Sequence, residues 1–135
     1  MKNKKAYFNY FISDEETAGI KLIGNEVKSL HEGHYGFNDA YCYFSKGELF
    51  LRNFYIKRNV YDSTQLEEYR ERKLLLTKRQ LAKYQKHIKL EGLTLVPLEI
   101  LQDKGKFKVK IGLGKGKKLY DKRNVIKERD LSRER

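Results

Sequence analysis

The sequence has few of the residues that hold small secreted or metal-binding proteins together. Its 135 residues contain one cysteine, Cys42, one proline and no tryptophan. A single cysteine cannot form an internal disulfide, and no cysteine–histidine set has zinc-finger spacing, so a disulfide scaffold and a structural zinc module are excluded. The basic start lacks an apolar signal core, and nowhere do 18 apolar residues run together. We therefore expect a cytoplasmic protein without a membrane-spanning segment or a membrane partner.

Acidic residues are scarce relative to basic ones. The chain has 30 Lys and Arg against 18 Asp and Glu, which gives a net charge of +12. The segment from Lys104 to Lys118 contains seven lysines and no acid, and a second basic segment runs from Lys78 to Lys89. A solvated charged surface is the ordinary fate of such segments. Their size and clustering nevertheless favour a polyanionic partner and predict nucleic-acid binding.

A recognisable set of catalytic residues is also lacking. His31 and His34 have H-x-x-H spacing without further ligands, the acidic segment 14–16 is typical of a turn, and Cys42 lies between tyrosines as a core residue would. Gly112, Gly114 and Gly116 match no phosphate-binding motif, and we interpret them as a flexible hinge beside lysines. We expect no enzymatic activity, no metal and no cofactor.

Short apolar and aromatic runs predict strands in the first part of the chain. Tyr7 to Ile12 and Ala18 to Gly24 favour two strands separated by the acidic turn Ser13 to Glu16. Asn25 is a candidate N-cap for a short helix from Glu26 to His31.

Two local signals are stronger. Ala40 to Phe44 and Glu48 to Leu51 flank Ser45-Lys46-Gly47, which predicts a hairpin. The Thr77-x-x-Gln80 pattern predicts a capping box that opens a helix ending at Gly92.

The second part of the chain predicts more strands and a tail. Lys57 to Glu71 reads as a long exposed connection with a capping pattern at Thr64-x-x-Glu67. Strands are predicted over Arg72 to Leu76, Leu93 to Leu101 and Lys106 to Gly112. Pro97 in the second of these strands indicates an edge or a bulge. In the third, apolar residues alternate with a row of outward lysines.

These elements predict a mainly β (α+β) fold, a compact antiparallel barrel with two or three small helices. Residues 1–113 would form the RNA-binding barrel. Residues 114–135 would form a basic tail, disordered when free, because their apolar residues are too few and too scattered to stabilise a fold.

Several ordered motifs resemble one known family. In chain order they are Asn3-Lys-Lys-Ala6, Tyr10-Phe-Ile12, Ala18-Gly19-Ile20, Gly24-x-Glu26-Val-Lys-Ser29, Arg72-Lys-Leu-Leu-Leu76, Gly92-Leu-Thr-Leu-Val-Pro-Leu98, Lys108-Val-Lys110, Gly116-Lys-Lys-x-x-Asp-Lys-Arg123 and Ile126-Lys-Glu-Arg129. From about Asn3 to Arg129 the chain resembles the small protein B family, the tmRNA-binding (SsrA-binding) proteins of bacterial trans-translation.

The resemblance implies an OB-type barrel and a function without turnover. The barrel would bind the tRNA-like domain of tmRNA, and the tail would act in the decoding centre and mRNA channel of the small ribosomal subunit on a stalled ribosome. The protein would act as a monomer. The alternatives are a ribosomal or general structured-RNA-binding protein on a small barrel, and an RNA-processing enzyme.

The resemblance and the lysine pattern together give candidate site residues. Those for RNA binding are Asn3, Lys4, Glu26, Leu75, Lys108, Lys110 and Lys115. Those for the tail on the ribosome are Lys117, Lys118, Tyr120, Asp121, Lys122 and Arg123. Leu75 has an equally strong alternative as a core residue of a strand.

Three positions depart from the family pattern. Phe8 and Tyr120 stand where many members have His, and Thr17 stands where they have Glu, with Glu16 as a possible substitute. Tyr120 keeps a flat ring that can stack on a nucleobase but lacks a titratable imidazole.

Overall fold

The computed structural model describes residues 2–58 and 67–117. Within these residues the helices are α1 (Lys4–Asn9), α2 (Gly24–His31) and α3 (Lys78–Glu91). The strands are β1 (Tyr10–Ile20), β2 (Tyr35–Gly36), β3 (Tyr41–Ser45), β4 (Glu48–Arg52), β5 (Tyr55–Ile56), β6 (Arg72–Leu75), β7 (Thr94–Asp103) and β8 (Lys106–Gly116). No helix in these residues is long and apolar enough to cross a bilayer.

Six of the strands form a barrel in the order β1-β6-β4-β3-β7-β8, with β8 paired back to β1. All of these pairings are antiparallel. The junction of β3 with β7 is held at Cys42 and Leu95, while β8 pairs along nearly its whole length with both neighbours. The prediction of an antiparallel OB-type barrel is confirmed.

The barrel interior is filled by alternate residues of the strands. Leu49, Leu51, Leu95, Val109 and Ile111 have no exposed surface, in agreement with the period of two that the sequence shows. Cys42 is also buried, as expected for a core residue. Burial raises the pKa of its thiol far above the ordinary value, so it stays protonated.

The acidic segment near the N-terminus is part of a strand. β1 runs unbroken through residues 13–16, so the prediction of two strands separated by a turn is wrong. The register against β8 shifts between Ser13 and Glu16, and Asp14 has a φ of 49°. This bulge lets one long strand bend around the barrel. It is fixed from outside by α3, because the Tyr84 hydroxyl donates to the Asp14 carbonyl at 2.7 Å.

A short helix covers part of the outer barrel wall. Residues 4–9 form α1, where a strand was predicted from Tyr7, because the Asn3 side chain accepts a hydrogen bond from the Ala6 N–H and caps the helix. Beneath α1 a second apolar cluster contains Ala6, Val96 and Leu98.

The glycines at the end of β8 make room for this outer layer. A Cβ at Gly112 would lie 2.8 Å from Ile12 Cγ2, and one at Gly114 would lie 2.8 Å from Tyr10 Cδ1. Their interpretation as a flexible hinge is therefore wrong for these two residues, which are paired within the strand. β8 continues to Gly116, three residues past the predicted end of the barrel at Leu113.

The strongest local predictions are confirmed. The hairpin of β3 and β4 turns at Lys46 and Gly47, both with positive φ, as a two-residue I′ turn requires. Thr77 and Gln80 form the capping box of α3, and Gly92 ends it in the left-handed conformation.

The structure corrects the predicted start of α2 and locates the predicted irregularity at Pro97. α2 begins at Gly24 and not at Glu26, and its first turn is capped by the Glu26 carboxylate, which accepts from the Ile23 N–H at 3.0 Å. Asn25 is therefore not the N-cap. Pro97 lies at a register shift in β7, the bulge that the sequence indicated. The capping pattern at Thr64 lies outside the described residues.

Candidate RNA-binding surface

Three adjacent strands bring Leu75 and Lys108 onto one face. Gly19 of β1 is paired with Leu75 of β6 on one side and with Lys108 of β8 on the other. Directly paired residues point to the same side of a sheet, so both side chains lie on the outer face, about 10 Å apart across two strand spacings. Leu75 is 44% exposed, so its alternative as a core residue is wrong.

Glycine at position 19 keeps this face open between the two side chains. A Cβ there would lie 3.2 Å from Leu75 Cβ, and no side chain stands between Leu75 and Lys108. Thr17, two residues earlier in β1 and exposed, is paired with Lys110 on the same face. We call the set Leu75, Gly19, Lys108, Thr17 and Lys110 the outer strand surface.

The lysines of this surface are ion-paired and not a bare row of ammonium groups. Lys108 Nζ lies 3.4 Å from Asp103 Oδ2, and Lys110 Nζ lies 2.9 Å from Glu15 Oε1. The hydrogen bond to Glu15 raises the pKa of Lys110, so it remains charged. These pairs are partly exposed to water, where an ion pair contributes about 0–1 kcal/mol, so a phosphate can replace either carboxylate at small cost.

Exposed aromatic rings and a second group of cations lie at the end of β8 and the adjoining part of the chain start. Phe8 is 80% exposed and Phe11 is 48% exposed. Lys115 is paired with Phe11, and Lys117 Nζ lies 5.1 Å from the Phe11 ring centroid while donating to the Tyr7 carbonyl at 3.2 Å. Exposed flat rings beside cations suit nucleobase stacking with phosphate contact. Sequence reasoning assigned both rings to a single strand and noted Phe8 only as a departure from the family pattern, so it did not predict that the two rings are exposed.

The comparisons with known proteins agree with one another. A family model described as "SmpB protein" matches residues 1–135. The chain belongs to the SmpB family.

Its relatives match over nearly their whole length. Proteins named "SsrA-binding protein" from Acholeplasma laidlawii and Malacoplasma penetrans are each 46% identical over 136 residues, covering 98% of this chain and 90% and 91% of those chains. One from Bacteroides thetaiotaomicron is 45% identical and covers 99% of this chain. A chain of the solved structure "tmRNA-SmpB: a journey to the center of the bacterial ribosome" is 40% identical, with a TM-score of 0.76, covering 98% of this chain and 94% of that one.

Within this SmpB fold, Asn3 has an architectural role. It is 5% exposed, its Nδ2 donates to the Pro97 carbonyl at 2.8 Å, and its backbone N–H donates to the Leu98 carbonyl at 2.7 Å. The side chain thus caps α1 and fastens it to the bulge of β7. Lys4, the next residue, is exposed.

Glu26 is likewise enclosed by protein. It is 4% exposed, and its carboxylate receives Arg70 Nη2 at 2.6 Å and Arg72 Nε at 2.8 Å. Burial alone would raise the pKa of Glu26, but hydrogen bonds from Arg70, the Ile23 N–H and Arg72 outweigh it and hold the pKa below its ordinary value. RNA contact by this residue stays a prediction, and the structure gives its carboxylate a different task.

That task was not visible in the sequence, because the partners are more than 40 residues away along the chain. Arg72 has no exposed surface and also donates to the carbonyls of Phe54 and Glu68 at 2.6 Å and 3.2 Å. The network therefore joins α2 to the segment from Glu68 to Arg72. Of the tail candidates, Lys117 is described, and Lys118, Tyr120, Asp121, Lys122 and Arg123 lie outside the described residues.

Proposed function

We propose that this protein binds the tRNA-like domain of tmRNA and delivers it to stalled ribosomes for trans-translation. The observation that carries the proposal is the match, at 40% identity and over 98% of the chain, to a solved chain whose description names tmRNA, SmpB and the bacterial ribosome. The function is binding and positioning, without chemical turnover.

The outer strand surface and the aromatic end supply the chemistry that such binding needs. Lysines on a curved barrel wall can follow the phosphates of a folded RNA, and apolar and aromatic side chains can pack on unstacked bases. Leu75, Lys108, Lys110, Lys115 and Lys4 are our proposed contacts. The tail, including Lys117 to Arg123, would act on the ribosome.

The test compares this protein's affinity for the tRNA-like domain of tmRNA with its affinity for an unrelated structured RNA of equal length, by gel shift at one salt concentration. We expect preference for the tRNA-like domain. Equal affinity for both RNAs would favour a general structured-RNA-binding protein, and stable association with ribosomal subunits in high salt would favour a ribosomal protein.

A pair of leucine variants then tests the surface. Leu75→Asp places a charge on the outer strand surface, while Leu90→Asp places one on α3, where Leu90 is 71% exposed. We expect Leu75→Asp to weaken binding at least tenfold and Leu90→Asp to change it less than twofold, because a negative charge at a phosphate-lined contact adds repulsion to lost packing. Equal effects would remove Leu75 from the interface.

A further inference from the structure

A cavity lined by both polar and apolar residues lies between α1, the loop before β3 and the start of β7. Its volume is about 150 Å³, the space of about five water molecules and roughly half that of the smallest ordinary drug-sized sites. Buried Ala6, Ala40 and Val96 line its inner part. The polar and aromatic residues that line it are Asn3, Lys5, Asn9, Tyr10, Asn38, Asp39, Tyr41 and Thr94.

Several hydrogen-bonding groups in this cavity have no partner in the described part of the chain. The side chains of Asn9 and Thr94 form no hydrogen bond with any residue in 2–58 or 67–117, although both residues are partly buried. Asn38 Nδ2 donates to the Tyr69 hydroxyl at 2.9 Å, which leaves the Asn38 carbonyl oxygen as an acceptor. Carboxamides present a donor and an acceptor side by side, the pattern that pairs with the edge of a nucleobase.

The mouth of the cavity carries charge that a phosphate can use. Lys5 on α1 forms an ion pair with Asp39 on the facing loop, and both side chains are largely exposed, at 57% and 77%. An exposed pair of this kind opens readily. Lys4 is adjacent, and Phe8 lies one turn further along α1 from Lys4.

We propose that this cavity holds one unpaired nucleobase of a bound RNA. Asn9 and Thr94 bond the base edge, and Lys5 exchanges Asp39 for the adjoining phosphate. The inference rests on the proposed function only for the identity of the RNA that supplies the base, because the groups in the cavity can bind any nucleotide. A nucleotide joins a mixed donor–acceptor base edge to a phosphate in one group, which matches both the carboxamides of the cavity and its flanking lysines.

The full-length protein can be titrated in heteronuclear NMR with each of the four nucleoside monophosphates, with inorganic phosphate, and with a short single-stranded RNA. We expect saturable shifts at Asn9, Ala40 and Thr94 with at least one nucleotide, tighter binding of the RNA that contains it, and no such shifts with phosphate alone. Loss of one hydrogen bond in Asn9→Ala should weaken binding about two- to tenfold.

Asn25→Ala is the matched control, because Asn25 lies in the first turn of α2 outside the cavity. It should leave nucleotide affinity unchanged. Thr94→Val provides a second variant that keeps side-chain volume and strand propensity, so a folding defect at the end of α1 cannot mimic the result.

Absence of saturable shifts with all nucleotides and the RNA, shifts reproduced by phosphate alone, or equal losses in Asn9→Ala and Asn25→Ala would overturn the inference. The outcome is separable from that of the proposed function. Nucleotide binding here without preference for the tRNA-like domain would support the cavity site and refute the tmRNA function. A preserved preference for the tRNA-like domain, with no nucleotide binding in the cavity, would support the tmRNA function and refute the cavity site.

Discussion

The side chain of Glu26 is held between two arginines, and each of the three depends on the others. Arg72 is fully buried, whereas the Arg70 side chain is 32% exposed. Removing the acid would leave a buried guanidinium without a counter-charge, which costs far more than losing an exposed pair.

We therefore expect Glu26→Ala to lower the free energy of unfolding by about 3–5 kcal/mol. Glu32→Ala, which removes an exposed acid just past α2, should change it by less than about 0.5 kcal/mol. Urea unfolding measures both. The pKa of Glu26 in the folded protein lies below its ordinary value of 4.5, so the unfolded state takes up the proton first as the pH falls. The part of the stability that the Glu26 carboxylate contributes is therefore present above about pH 5 and is lost progressively at lower pH. Glu26→Gln should lack that part of the acid sensitivity.

RNA affinity of the folded Glu26→Ala fraction should remain close to that of the parent protein. A tenfold loss of affinity with unchanged stability would instead make Glu26 a direct RNA contact.

Lys108 tests whether the outer strand surface meets phosphate. Its pair with Asp103 is exposed, so a phosphate can compete for it. Lys108→Ala should reduce the magnitude of the slope of log affinity against log salt by about one, because one neutralised phosphate is lost. Lys86→Ala on α3 removes the same charge elsewhere and should leave the slope unchanged. A slope that Lys108→Ala does not alter would mean that this lysine is only solvated.

At the scale of elements, the sequence correctly predicted the helix ends and the turn that are determined by local sequence signals. The Thr77 cap, the Gly92 terminus and the Lys46-Gly47 turn each determine a structure within a few residues, and all three were correct. α1 was missed because its cap, Asn3, is fixed by Pro97 and Leu98, which are more than 90 residues away. The continuity of β1 through its acidic segment was missed for a similar reason, since β8 imposes it.

The candidate site divides in the same way. Alternation in β8 placed Lys108 and Lys110 outside correctly, because the period of two is local. The acids that pair with them and the burial of Glu26 depend on chain crossings that no local pattern indicates. Resemblance to a family identifies candidate positions, but Asn3 and Glu26 are buried, so we expect both to act through packing.

The close packing of β1 and β7 side chains over β8 leads to a prediction about glycine. A Cβ at Gly112 would lie within 2.9 Å of both Ile12 and Leu98, whereas one at Gly116 in the same strand would meet no described atom within 4 Å. Gly112→Ala should therefore destabilise the protein by about 1–3 kcal/mol through overpacking. Gly116→Ala should be neutral or slightly stabilising.

Thermal unfolding of the two glycine variants compares them directly. If Gly112→Ala unfolded at the same temperature as Gly116→Ala, Ile12 of β1 and Leu98 of β7 would not be packed over this glycine.

The whole molecule distributes its charge over both the barrel and the tail. Residues 118–135 contain seven basic and four acidic residues, so they carry only three of the twelve net positive charges. The remainder of the chain keeps most of the attraction for RNA that net charge provides. We therefore expect binding to the tRNA-like domain and action on the ribosome to be separable by position in the chain.

The division is testable by truncation, and the structure determines where to cut. Removal from Lys115 onward would delete Lys115 and Gly116, which pair with Phe11 and Tyr10 of β1, so a loss of binding could reflect damage to the barrel.

A chain ending at Lys117 keeps β8 whole. It should unfold at nearly the same temperature as the full chain and retain affinity for the tRNA-like domain within about threefold, while failing to support tagging of peptides on stalled ribosomes. Tyr120→Ala in the full chain should reduce tagging more than binding, because stacking on one base contributes about 1–3 kcal/mol where that base is met. If the chain ending at Lys117 folds but loses tmRNA affinity in parallel with tagging, the tail itself binds tmRNA and the proposed division between barrel and tail is wrong.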